Sequence, residues 1–155
     1  MTTMLDGRFC TFMLDDLYFG VPVTQVQEVI RSSERTRVPL VPTVVNGLMN
    51  LRGEIVTTIN LRRRLGLPDR PEAAAMNVVV RTDDGVVSIL VDEIRDVIEV
   101  GHVELESVPP TLAGACRDLV SGIYKLDHSL LLVLDIFRLL DMSTPTDVPE
   151  AQPTA

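Results

Sequence analysis

Four consecutive residues, Asn50-Leu51-Arg52-Gly53, carry the side chains best suited to specific recognition in this 155-residue chain. Arginine offers five N–H donors in a planar fork, a shape that meets a carboxylate with two parallel hydrogen bonds. Gly53 takes the positive φ that a tight turn requires, so Arg52-Gly53 reads as the tip of a hairpin between two apolar strands. At that tip two roles stay open for Arg52. It pairs with a nearby acid or with local carbonyls, or the turn holds it outward for a partner.

Bond-making chemistry has few footholds. His102 and His128 are the only histidines, and neither lies near a cysteine or a second histidine in sequence; both read as surface or loop imidazoles. Cys10 and Cys116 have no ligand spacing and read as reduced, mostly buried small residues. Asp83-Asp84-Gly85 lacks the alternating acids and terminal Glu of a calcium loop and reads as a solvated turn. G-x-S-x-G, G-x-x-x-x-G-K-[ST] and G-x-G-x-x-G are all missing from the sequence. The expectation is a protein that is not an enzyme, uses no metal or cofactor, and has no deep pocket with convergent polar groups. Arg62-Arg63-Arg64 reads as a solvated helix face, with contact to an acidic partner as its functional alternative. Asp92, Glu93 and Asp96 likewise read as a solvated acidic patch.

The elements that must position Arg52 follow from composition and pattern. Hydrophobic residues make up 46% of the chain, Trp is absent, and Val, Leu and Ile must fill the core, which favours many short strands. A net charge of -8 without a basic stripe argues against nucleic acid as a partner. No apolar run is long enough to span a bilayer, so direct membrane insertion is not expected and a cytoplasmic location is the default. Residues 8–14 and 17–23 read as strands joined at Asp15-Asp16, and Val38 to Pro42 as an extended loop held by two prolines. Residues 44–51 and 54–59 form the Arg52-Gly53 hairpin. A short helix follows, with Asn60 as N-cap and Leu61 and Leu65 on one face.

Much of this recurs. Gly47 to Leu67 is echoed 75 positions later at Gly122 to Asp141, where Asp135 replaces Asn60 as cap, and Val21 to Ile30 aligns on Ile89 to Ile98 without gaps. Echoes in the same order indicate a duplicated unit of about five strands and one small helix. One such unit buries too little alone, but two suit small β-barrels packed together. Residues 68–75 read as a connector and residues 1–7 and 143–155 as flexible or disordered ends. Within a domain at 8–142, the first barrel is expected at 15–68 and the second at 76–142, with terminal segments free to cross between them. The echo drops Asn50, Arg52 and Gly53, which become Lys125, Asp127 and His128. The turn chemistry is therefore not needed to build the hairpin.

Five blocks in order, Tyr18 to Arg31, Val38 to Pro42, Gly47 to Leu67, Val91 to Ile98 and Leu131 to Leu140, resemble the CheW family of chemotaxis coupling proteins. The resemblance implies a mainly β fold of two SH3-like five-stranded β-barrels packed on a shared hydrophobic core, with short helices. It also implies an adaptor that bridges the tips of methyl-accepting chemoreceptors to the regulatory domain of a CheA-type histidine kinase, recruited to membrane receptor arrays. By position, Val26, Glu28, Asn50, Leu51, Arg52, Gly53 and Val97 match the receptor-facing groove. Kinase contacts are expected near Ile123, Leu126 and Leu130. A specialised CheW-like scaffold or localisation protein of another chemosensory pathway is the alternative. A regulatory domain cut from a kinase is less expected, since no catalytic module flanks the domain. Thr57, Asn60 and Asp127-His128 depart from the family pattern, where Pro, Asp and a Gly-Asp-type turn are common.

Overall fold

The computed structural model describes residues 7–30, 45–68, 76–112 and 114–141. The loop at Val38 to Pro42, the connector after Pro68, and the two ends, apart from Gly7, lie outside the described residues.

Strands β1 (Arg8–Leu14), β2 (Leu17–Pro22), β3 (Val26–Ile30), β4 (Val45–Leu51) and β5 (Glu54–Asn60) lead into the short helix α1 (Leu61–Arg64). Then come β6 (Met76–Thr82), β7 (Gly85–Val91), β8 (Glu93–Glu99), β9 (Leu105–Glu106), α2 (Gly114–Leu119), β10 (Val120–Lys125), β11 (Leu130–Leu134) and α3 (Ile136–Leu139). They form a five-stranded sheet, β3-β6-β7-β5-β4, and a six-stranded sheet, β8-β1-β2-β11-β10-β9.

The duplication is visible in the hydrogen bonding. Replacing each strand by its repeat partner (β3 by β8, β6 by β1, β7 by β2, β5 by β11, β4 by β10) converts one strand order into the other, and among the described residues only β9 is additional. Register shifts fall at matching places, between Val45 and Gly47 against β5 and between Val120 and Gly122 against β11. Parallel pairing matches too, Thr57 with Val87 and Leu132 with Phe19. The two caps are equivalent: Asn60 Oδ1 accepts from Arg63 N–H at 3.1 Å and Asp135 Oδ1 from Arg138 N–H at 3.1 Å.

Sheet membership does not follow the sequence halves. The N-terminal hairpin β1–β2 belongs to the sheet of β8 to β11, and β6–β7 from the second half belongs to the sheet of β3 to β5. The boundaries 15–68 and 76–142 therefore cut across both sheets. Period-2 patterning tells which faces of a hairpin are buried but not which strands it joins, and two similar halves offer two similar edges.

This exchange explains the near-continuous apolar strands. One face of each sheet enters a shared core, where Phe12, Phe19, Val78, Val80, Leu132 and Leu134 meet. The opposite faces line two smaller cores. Val79, Met49, Leu51 and Val56 fill the first, and Phe9, Val100, Leu131 and Val133 the second. Strands buried on both sides lose the polar alternation of a half-exposed sheet.

Candidate functional site

The β4–β5 turn is built by two successive residues with positive φ, Arg52 at 52° and Gly53 at 89°. That is the twist an antiparallel pair prefers in a two-residue hairpin, usually supplied by Asn, Asp or Gly. Arg52 sits there against the steric preference of a long side chain, and Asn50 compensates by accepting the Gly53 N–H on Oδ1 at 2.8 Å. A long side chain held in this conformation points to one that acts elsewhere.

It does so on Glu28. Arg52 Nη1 and Nη2 donate to the two Glu28 oxygens at 2.7 and 2.5 Å, a bidentate fork, and these bonds hold the Glu28 carboxyl below the usual carboxylate range. Glu28 lies on β3 and Arg52 follows β4, the two outer strands of the five-stranded sheet. Four flat inter-strand steps would separate them by about 19 Å, more than the two side chains span together. The sheet must curl to bring its edges within reach, and the pair latches them at that point. Arg52 nevertheless keeps 68% of its side chain exposed.

The structure thus brings Glu28, Asn50, Arg52 and Gly53 into one cluster at an exposed edge. Val26 on β3 is partly buried against the shared core. Val97 is carried by β8 of the other sheet, where its side chain is largely exposed. Leu51 is buried in the first small core, so its side chain supports the turn from below. Ile123 is 5% exposed in the shared core, because its position in β10 faces inward. Leu126 is partly buried against the second small core, and Leu130 is 53% exposed.

The corresponding edge of the second sheet has no such latch. Asp127 replaces Arg52 and Asp96 replaces Glu28, so the repeat has no cation at either position, and neither side chain makes an ion pair among the described residues. A cleft of about 670 Å³ opens at this side, lined by Met13, Tyr18, Asp96, Ile98, His128 and Leu130 among others. A concavity of this size was not expected from the sequence, which shows apolar strands but not whether their edges are drawn together. Asp16, Arg95, Asp96, His128 and Ser129 supply its polar lining, and no hydrogen bond joins the His128, Ser129 and Asp96 side chains among the described residues.

The Arg62–Arg64 run is also corrected. Arg62 has only 7% of its side chain exposed, donating from Nε and Nη2 to the Asp92 carboxylate at 2.8 and 2.7 Å, from Nη1 to the Pro68 carbonyl at 2.6 Å, and pairing with Asp15. Asp92 in turn accepts the Asp15 N–H at 2.9 Å. This network ties α1 and β7–β8 to the β1–β2 turn, and so one sheet to the other. Arg64 is buried as well and reaches the Arg138 and Leu139 carbonyls at the end of α3 at 3.4 and 3.5 Å. Charge runs in a sequence do not reveal which side chains fold under. The readable signal was the repeat itself, since Arg62 becomes Phe137 where Asp92 becomes Thr24.

Comparison with known proteins agrees with this architecture. The CheW-like domain model matches residues 8–144. The chemotaxis protein CheW of Bacillus subtilis is 32% identical over 92% of this chain and 93% of its own length, and that of Treponema pallidum is 30% identical over 85% and 81%. The crystal structure of the scaffolding protein TtCheW from Thermoanaerobacter tengcongensis superimposes with a TM-score of 0.80 at 24% identity, covering 89% of this chain and 94% of that one, and supports the fold. A matched domain spanning nearly every strand, together with relatives of this identity and coverage, places the chain in the CheW family.

Proposed function

We propose that this protein is a non-enzymatic chemotaxis adaptor in which residues 8–142 act as one domain, coupling chemoreceptor tips to the regulatory domain of a CheA-type histidine kinase. It works in the cytoplasm and is recruited to receptor arrays. The observation that carries this reading is the exposed, backbone-strained Arg52 latched to Glu28 beside Asn50 and Gly53. A helical receptor tip engages this cluster through apolar contacts that include Val97, with part of the Arg52 fork turned toward polar groups of the tip. Leu51 shapes the turn from beneath. The kinase domain meets the second-sheet hairpin at Leu130 and Leu126, with Ile123 supporting them from the core. Family membership and relatives named as chemotaxis proteins support the coupling role.

The decisive experiment separates latch from contact. Arg52→Ala should abolish pull-down of a receptor-tip fragment while leaving capture of the kinase regulatory domain. The exchange Arg52→Glu with Glu28→Arg rebuilds the ion pair with the charges reversed. If Arg52 touches the receptor, the exchange restores the fold around the turn but not receptor capture. Recovery of receptor binding by the exchange would show that only the latch matters. Binding of neither partner by the wild-type protein would remove the coupling function.

A further inference from the structure

We infer that the groove beside Phe137 is a docking site for a basic, apolar peptide segment of a partner, taken up by an arginine over Asp83 and Asp84 and an apolar side chain on Phe137. Phe137, the first residue after the start of α3, is 84% exposed, the most of any large hydrophobic side chain among the described residues. It borders a groove of about 480 Å³ with Ile136, Leu140, Asp83, Asp84 and Arg81, whose guanidinium donates to the Thr24 and Val26 carbonyls at 3.4 and 3.2 Å. None of the residues assigned above to receptor or kinase lines it.

The molecule itself shows which chemistry fits this corner. In the internal repeat Phe137 corresponds to Arg62, Asp83 to Asp15 and Ile136 to Leu61. At the first corner the chain supplies its own guanidinium, which lies between Asp15 and Asp92. At the second corner Asp83 keeps the place of Asp15 and Asp84 that of Asp16, while Asp92 becomes Thr24 and the guanidinium of Arg62 gives way to Phe137. The β6–β7 turn meets its own polar needs through Thr82, whose Oγ1 accepts the Asp84 N–H at 3.1 Å and donates to the Gly85 carbonyl at 2.7 Å. Neither Asp83 nor Asp84 has an ion pair among the described residues. Two carboxylates beside an uncovered aromatic ring favour an arginine with an apolar neighbour, through charge complementarity and contact with the ring.

Residues 143–155 contain Asp147 and Glu150 and no Lys or Arg, and a second copy brings another net charge of -8. The chain's own run from Arg31 to Val41 carries Glu34 among its three arginines, so a more purely basic segment of a different protein is the complementary choice.

The test is an NMR titration of the full-length ¹⁵N-labelled protein with acetyl-Leu-Arg-Leu-Arg-amide, using acetyl-Leu-Glu-Leu-Glu-amide as the charge-reversed control. The arginine peptide should shift the amides of Asp83, Asp84, Gly85 and Phe137, and the glutamate peptide should not. Asp83→Asn with Asp84→Asn should weaken binding at least about 5-fold, in line with loss of charge-assisted bonds. Phe137→Arg should abolish it by filling the corner from within, as Arg62 does in the other repeat, and Arg52→Ala should leave it unchanged. The same spectra report whether each variant is folded. Absence of shifts, equal response to both peptides, or binding that survives the Asp83/Asp84 and Phe137 substitutions would overturn the inference.

Discussion

The two sheets share strand order, bulge positions and helix caps, yet differ at the same two places. In the five-stranded sheet the outer strands are pinned by Arg52 and Glu28; in the other, where Asp127 and Asp96 hold the equivalent positions, a cleft lined by Asp96 and His128 lies open. At one helix corner Arg62 is folded under two carboxylates, and at the other Phe137 stands in solvent. Hydrogen-bond ladders and core faces were retained because changing them unfolds the protein. Edges and corners were free to diverge, and that is where partner-specific surfaces arise.

The comparison breaks most readily at the corners. Arg62→Ala leaves the Asp92 carboxylate covered without its main partner and removes the tie between the sheets. A fully buried broken pair costs about 3–5 kcal/mol; at this shallower site we expect about 2–4 kcal/mol in denaturant unfolding. Phe137→Ala, at the equivalent position, should change stability by less than about 0.5 kcal/mol. Similar losses for the two would mean that the corners are not functionally distinct.

A smaller effect is expected where β9 pairs with β10, the one strand without a repeat counterpart among the described residues. A Cβ on Gly122 would meet Leu105 Cδ1 and Cγ at 2.8 Å and the Glu106 carbonyl at 3.0 Å. The leucine has rotamers to move into but the backbone oxygen does not yield as cheaply. Gly122→Ala should cost about 1–2 kcal/mol, read as a lower denaturation midpoint. No loss would show that β9 is loosely held.

These contrasts mark what the sequence could and could not tell. The duplicated strands, the caps at Asn60 and Asp135 and the Arg52-Gly53 turn were legible because each has a local signature: an echo, a side-chain acceptor before a helix, a glycine at a positive φ. Exchange of the β1–β2 and β6–β7 hairpins was not, since strand partners are chosen at long range. Burial of Arg62 and Ile123 was hidden for a related reason. A four-residue helix is too short for its apolar spacing to tell an inward arginine from an outward one, and alternation in β10 is broken by the register shift at Gly122. Glu28 was picked by resemblance, and its union with Arg52 became visible only when the sheet was seen to curl.

A gain-of-contact variant tests the edges directly. Asp127→Arg places a guanidinium opposite Asp96, recreating in the second sheet the arrangement of the first. The pair would be solvent-exposed, so a double-mutant cycle with Asp96→Ala should give a coupling below about 1 kcal/mol. If the cleft is open for want of that latch, His128 should also become less accessible to diethyl pyrocarbonate. Coupling of zero would indicate that the backbone, and not the residue pair, sets the width of the cleft.

The smallest effect concerns pH. Hydrogen bonds from Arg52 lower the Glu28 pKa in the folded protein, so folding releases a proton from this group near its ordinary value. Its stabilising contribution is fully present above the unfolded-state carboxylate pKa and fades as pH falls through the lower folded-state value. The latch should therefore survive mild acid in which a free glutamate is already half protonated. Carboxyl-detected NMR on the wild type should show Glu28 titrating below the usual glutamate range, and Arg52→Ala should move it back toward that range. Should the Glu28 titration stay put on removal of Arg52, the fork would not govern this carboxylate, and the difference between the two sheet edges would lie in backbone curvature alone.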